Sequence, residues 1–182
     1  ISAGLFTGGF TASSLELLIV ISFQVIYGYV FLATGIIIAV FMTGLFLGAQ
    51  LFQRLIPVPD PKRYIHIQIC MALFSLGFPF IILAMNLPGI PVIIVQIIFI
   101  LLTLLISFIT GLEFSVASSL GNEDLTQRIS FNYSADLFGS AAGAILTTLV
   151  LLPFLGLAGA CMVMVLLNIL SAGFLHLKLK KV

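Results

Sequence analysis

Three carboxylates stand inside otherwise apolar stretches of this sequence: Glu16, Glu113 and Asp136. A charged side chain at the centre of a bilayer costs about 2.5–3.5 kcal/mol on insertion scales, so each acid needs a reason to be there. One reason is a cation or proton site opening toward one side of a membrane, lined by Glu16, Gln24, Glu113 and Asp136. The other is structural: the acids snorkel, cap helix ends, or pair with Arg54, Arg63 or Arg128. Asp136 is the strongest functional candidate, because small residues beside it admit close helix contact. The amides Gln24, Gln50, Gln68, Gln96 and Asn168 form a second polar set. Interhelical hydrogen bonds of about 0.6 kcal/mol each account for most of them.

His66 and His176 fall at similar depth on different apolar segments. Two such imidazoles could ligate a b-type haem, or they could sit beside lipid headgroups as interfacial residues. Cys70 and Cys161 lie in separate segments with no CxxC and no Cys/His cluster, so no metal site and no thiol chemistry are expected. No GxGxxG, Walker A or GxSxG pattern occurs. A soluble-type catalytic site is therefore not expected, and the expectation is a chain that is not an enzyme.

The elements that must position these residues follow from composition. Of 182 residues, 62% are hydrophobic and 7% charged, and the mean hydropathy is +1.33. A soluble domain is about a quarter charged. Thirteen charged side chains cannot cover a water-soluble globule of this size, which excludes a soluble enzyme, a secreted disulfide scaffold and a disordered chain. A net charge of +1 also excludes nucleic-acid binding. The expected solvent, and first partner, is the lipid bilayer.

A transmembrane helix needs roughly 20 mostly apolar residues, and six stretches qualify. They run near 13–32, 35–52, 64–85, 92–111, 134–154 and 157–175. Pro57, Pro59 and Pro61 separate the second from the third, and Pro88-Gly89-Ile90-Pro91 the third from the fourth. Gly121-Asn122 opens the next loop, and Pro153 with Gly156 marks the turn before the sixth. Barrel strands alternate apolar and polar residues, whereas these runs are apolar on every side. The abundant isoleucine and valine do not argue for strands here, because lipid obliges each backbone N–H to find a partner within its own segment. The expected fold is all-α: a polytopic, six-helix bundle resembling half of a transporter, in a single domain over residues 1–182.

Six spans place Arg54, Lys62, Arg63, Arg128, Lys178, Lys180 and Lys181 on one side, which the positive-inside rule makes cytoplasmic. Both termini share that side. Tyr27, Tyr29, Tyr64 and Tyr133 all fall at expected interfaces, where an amphipathic ring is favoured. Gly44 and Gly48 form a GxxxG pair in the second span, and Ala135, Gly139 and Gly143 a small-residue ladder in the fifth. Both lie toward the inner side, so spans two and five are expected to cross closely there, as static packing or as a sliding contact.

Several stretches together resemble a known family. They are Phe10-Thr-Ala-Ser-Ser-Leu-Glu16, Phe23-Gln-Val-Ile-Tyr-Gly-Tyr29 and Phe41-Met-Thr-Gly-Leu-Phe-Leu-Gly-Ala49. Gly111-Leu-Glu-Phe114, Tyr133-Ser-Ala-Asp-Leu-Phe-Gly-Ser-Ala-Ala-Gly143 and Leu152-Pro-Phe-Leu-Gly156 complete the set. Their order and spacing resemble the membrane portion of bacterial spermidine-synthase-like proteins, in which an aminopropyltransferase-like domain is fused to hydrophobic helices. That portion is similar to half of a major-facilitator-type transporter. Where the family often has Pro after Gly-x-x-Phe, Ser115 stands here, and the aminopropyltransferase nucleotide site is absent. The resemblance implies a membrane module in a bacterial inner membrane, without aminopropyl transfer by this chain.

Three functions fit these residues. The first is a transporter-like module binding or moving a small cationic solute, completed by a second membrane module. The second is a lipid- or quinone-contacting subunit of a respiratory or other redox complex. The third is the anchor of a longer enzyme: the chain opens at Ile1 with neither an initiator Met nor a signal peptide, as a piece or a processed form would.

Overall fold

The computed structural model describes residues 2–27, 31–55, 60–85, 90–120 and 125–180, and every regular element among them is a helix. Tyr29, Pro57, Pro59, Pro88, Gly89, Gly121, Asn122 and Lys181, named above as loop or interface residues, lie outside the described residues. The helices are α1 (Ser2–Tyr27), α2 (Phe31–Leu55), α3 (Pro61–Met85), α4 (Val92–Ser119), α5 (Leu125–Leu146) and α6 (Leu152–Leu179). A π-helical turn, Thr147–Leu151, joins the last two. Five helical stretches are long and apolar enough to cross a membrane: Ser2–Ile26, Thr34–Phe52, Pro61–Met85, Val92–Ser119 and the 54-residue run Thr126–Leu179. This is the architecture of an α-helical integral membrane protein.

Proline and glycine punctuate the chain by chemistry. Pro61 opens α3, where its missing N–H is an orphan in any case. Asp60 caps the same end, its Oδ1 accepting from the Lys62 N–H at 2.9 Å. Pro91 immediately precedes α4. Of Pro153 and Gly156, expected together to mark a turn, Pro153 does not itself turn the chain, which continues helically to Gly156. A proline cannot donate to the carbonyl four residues back, and the helix widens into the π turn just before it, the usual accommodation of such an interruption.

The turn is at Gly156, whose φ of 68° and ψ of −176° belong to a region open essentially to glycine. Two contacts with α1 show how far the chain turns back. Thr147 Oγ1 donates to Ser14 Oγ at 2.8 Å, and Asn168 Nδ2 donates to Thr11 Oγ1 at 2.6 Å. In a straight helix, residues 147 and 168 would stand about 31 Å apart. Here they meet neighbouring positions on one helix, so the long run is a hairpin.

The first helix begins well before position 13. Gly4, Gly8 and Gly9, with Ser2, Thr7 and Thr11, dilute the apolar signal over its opening turns, yet most of this segment is buried. Glu16 consequently lies near the middle of α1 and not at its inner end. The fourth helix likewise runs past 111 to Ser119 and the fifth starts at Leu125, ahead of 134, so Glu113 and Asp136 stand within helices and not at their ends.

Small residues decide which helices pair. A Cβ on Gly139 or Gly143 would strike the carbonyl oxygens of Phe6 and Phe10, and one on Gly44 or Gly48 those of Leu104 and Phe108. The matched register, rising in both members, makes α1 parallel to α5 and α2 parallel to α4. Spans two and five therefore do not cross each other: α2 and α5 make no contact among the described residues, and each small-residue stripe serves a different partner. The reason is that a GxxxG stripe specifies a close approach without specifying to whom. α3 packs against α6 in the opposite sense, with Leu83 and Leu157 lining one cavity and Tyr64 and Leu175 another.

These pairings have a symmetry. Exchanging α1, α2 and α3 for α4, α5 and α6 turns α1·α5 into α4·α2 and α1·α6 into α4·α3, and maps α3·α6 and α1·α4 onto themselves. Among the described residues the exchange fails in one place, because α1 touches α3 whereas α4 and α6 do not touch. The starts of α1, α3 and α5 meet the ends of α2, α4 and α6, so Arg54, Lys62, Arg63, Arg128, Lys178 and Lys180 gather at one end of the bundle.

Nothing lies within 4 Å of a Cβ built on Gly156 or on Gly173, so these two sites differ only in backbone conformation. Gly156→Ala is expected to destabilise the fold by about 1–3 kcal/mol. Gly173→Ala, in ordinary helix, should leave stability unchanged or raise it by up to about 1 kcal/mol. Denaturation in mixed micelles, followed by loss of helical circular dichroism, checks the contrast.

Candidate functional site: a buried carboxylate beside a central helix

α1 is the hub of the bundle, touching each of the other five helices. In lipid, helices gain little by burying apolar surface against one another and depend on close packing and hydrogen bonds instead. α1 supplies both. Gly4 and Gly8, one turn apart, leave room for the Tyr64 phenol and the Glu113 carboxylate, which a Cβ at either glycine would displace. Farther along, Thr11 and Ser14 make the contacts to Asn168 and Thr147 described above.

Glu113 is 1% exposed. Tyr64 Oη donates to its Oε1 at 2.9 Å, and Gln68 Nε2 donates to the same oxygen. Gln68 Nε2 also faces Tyr64 Oη at 3.2 Å and the Gly4 carbonyl at 3.0 Å. Two amide hydrogens thus serve three acceptors, while Gln68 Oε1 is buried without a partner. A carboxylate out of water needs donors or a counter-charge, and only neutral donors surround this one. The cluster ties α1, α3 and α4 together at the basic end.

The four acids and amides singled out by sequence do not converge on one cavity. Asp136 lies on the α1–α5 seam, its oxygens against Gly9, with Ser140 Oγ donating to the Gly9 carbonyl at 3.3 Å. Gln24 Nε2 donates to Thr34 Oγ1 at 3.4 Å, linking the end of α1 to the start of α2. Glu16 makes no hydrogen bond or ion pair among the described residues. Its direction follows from its neighbours. Around α1, at about 100° per residue, Phe6 and Phe10 face α5, Thr11 faces α6, Gly4 faces α3 and Gly8 faces α4. Glu16 falls about 20° from Gly9, on the side of α1 that meets α5 and two turns farther along, where it is half-buried. None of the three intramembrane acids forms an ion pair with Arg54, Arg63 or Arg128 among the described residues, and Arg128 Nε donates to the Ser118 carbonyl at 3.0 Å.

His66 and His176 are both exposed. His66 Nδ1 lies 2.7 Å from the Lys62 carbonyl of its own helix, and no contact joins the two rings. No group of three or more His, Cys, Asp or Glu residues able to hold a metal occurs among the described residues. Sequence reasoning placed Tyr64 at an interface and Gln68 among packing amides, and so missed both as partners of Glu113. The usable signal was spacing: Gly4 with Gly8, and Tyr64 with Gln68, each fall four apart on one helical face.

Tyr64→Phe removes a donor from a buried carboxylate and is expected to destabilise the protein by about 1–3 kcal/mol. In a double-mutant cycle with Glu113→Gln, the two losses should couple by about 0.5 kcal/mol or more. Additive losses would show that the contact carries no energy.

Comparison with protein-family models, curated protein sequences and solved structures finds no match for this chain.

Proposed function

We propose that this chain is a non-catalytic, transporter-like membrane module of six crossings that binds or moves a small cationic solute. The observation that carries the proposal is the exchange of α1–α3 for α4–α6. An odd number of crossings in each half makes the two halves opposite in direction, and inverted-topology repeats of this kind are the design of many secondary transporters. The hairpin at Gly156 supports reading the 54-residue run as two crossings, which takes five apolar stretches to six. The basic residues at one end then argue for an inner membrane with both termini cytoplasmic. The resemblance to the membrane portion of spermidine-synthase-like proteins supports the same reading.

Glu16 is the residue most suited to contact a cation. It sits near the middle of the hub helix, half-buried and without a hydrogen bond or ion pair among the described residues. An ionised carboxylate facing hydrocarbon there would be unfavourable, so its partly open side is suited to a water-filled path closed on its far side by a second module. Asp136 lies on the same side of α1, two turns nearer the basic end, where an arriving cation would meet it first.

Uptake of a labelled diamine into proteoliposomes tests the assignment. Glu16→Gln should lower uptake roughly ten-fold or more, Asp136→Asn should lower it less, and Glu16→Asp should retain part of it. Uptake unaffected by Glu16→Gln would defeat the cation role. Labelling Lys62→Cys and Lys180→Cys with an impermeant thiol reagent should mark both from the cytoplasmic face, whereas five crossings would put them on opposite faces.

A further inference from the structure

We infer that the cavity between α1, α3 and α6 at the basic end binds a negatively charged phosphate group. The cavity encloses about 440 Å³, and its lining includes Thr7, Tyr64, Ser171 and Lys178 on the polar side and Leu167 and Leu170 on the apolar side. The Thr7 hydroxyl already donates to the Gly4 carbonyl and the Tyr64 hydroxyl to Glu113. Ser171 makes no hydrogen bond among the described residues, which leaves its hydroxyl and the Lys178 ammonium as donors for a ligand.

Lys178 Nζ lies 5.0 Å from the centroid of the Phe174 ring. This cation–π contact holds the charge at the cavity and leaves ammonium hydrogens free to donate. No acid lines the cavity, and Glu113 is closed off behind Tyr64. Lys62 and Arg63 precede Tyr64 directly, and Lys180 follows Lys178 by two residues, so the local field favours an anion. Basic pockets between helices on the cytoplasmic side of a membrane are suited to phosphate-bearing headgroups. Next to this one, Leu166, Leu170 and Phe174 are exposed on α6, where acyl chains would lie. The ligand chemistry is a phosphate on an anionic phospholipid or a free phosphate, and the site is independent of the transport reading.

Native mass spectrometry of the full chain in mild detergent, with added phosphatidylglycerol or phosphatidylcholine, reads the site directly. The expected result is preferential retention of phosphatidylglycerol. Lys178→Gln should weaken it about five-fold while Lys180→Gln changes it by roughly two-fold or less. Lys178→Arg should restore retention, and Ser171→Leu, which fills the cavity, should abolish it in a protein that stays monodisperse. Displacement of the lipid by excess inorganic phosphate would identify free phosphate as a sufficient ligand, and its failure to displace would assign the site to the lipid. Equal retention of the two lipids, or equal losses from Lys178→Gln and Lys180→Gln, would overturn the inference, because a diffuse basic surface would then explain the binding.

Discussion

The structure depends on how α1 is held. Among helices that share an apolar solvent, burial of hydrocarbon does little to choose one neighbour over another, and close backbone approach and hydrogen bonding must do it. α1 offers glycine or hydroxyl side chains toward almost every neighbour: Gly4 to α3, Gly8 to α4, Gly9 to α5 and Thr11 to α6. The polar contacts are spaced along its length, so the surrounding helices are fixed in height as well as in direction. Apolar residues farther along, such as Leu15, Leu18 and Ile19, are fully buried and fill the space beyond.

That arrangement has a consequence for function. Glu16 on this hub is left half-buried and without a hydrogen bond or ion pair among the described residues. The same physics that makes a mid-bilayer carboxylate costly makes it unsuited to a lipid-facing position, which favours a solvated path or a covering module. Glu113 illustrates the alternative solution. It is placed among neutral donors, sealed by two glycines of the hub, and acts as a tie between three helices. Two acids that look alike in sequence are thus assigned different work by their surroundings.

The pairing of helices shows how far sequence reasoning reaches. The stripes at Gly44/Gly48 and Gly139/Gly143 were recognisable as close-approach surfaces, and both are. Their partners were not, because a glycine stripe states that a backbone can come near and leaves open which backbone it will be. The start of α1 was hidden for a related reason: small and hydroxylated residues read as loop on an apolar scale, although inside a bundle they are what permits dense packing. Of the pair read as a turn, Pro153 stays within the helical path and Gly156 carries the reversal, since a π turn can accommodate a proline where a regular helix cannot. The Tyr64–Gln68–Glu113 cluster joins residues 45 and 49 apart in sequence to Glu113, a separation at which no local pattern operates.

What the amino-acid order determined by itself was the solvent and the repertoire. Sixty-two per cent hydrophobic residues with 7% charged require helices whose backbone groups satisfy themselves, and the basic residues mark one end of every segment they flank. Only the tertiary structure decided which acid is enclosed and which is left open. It also decided which helices lie side by side, and that two groups of three helices share one pattern of contacts with a single exception among the described residues. Composition and periodicity act over single segments, whereas enclosure, pairing and symmetry are properties of how segments meet.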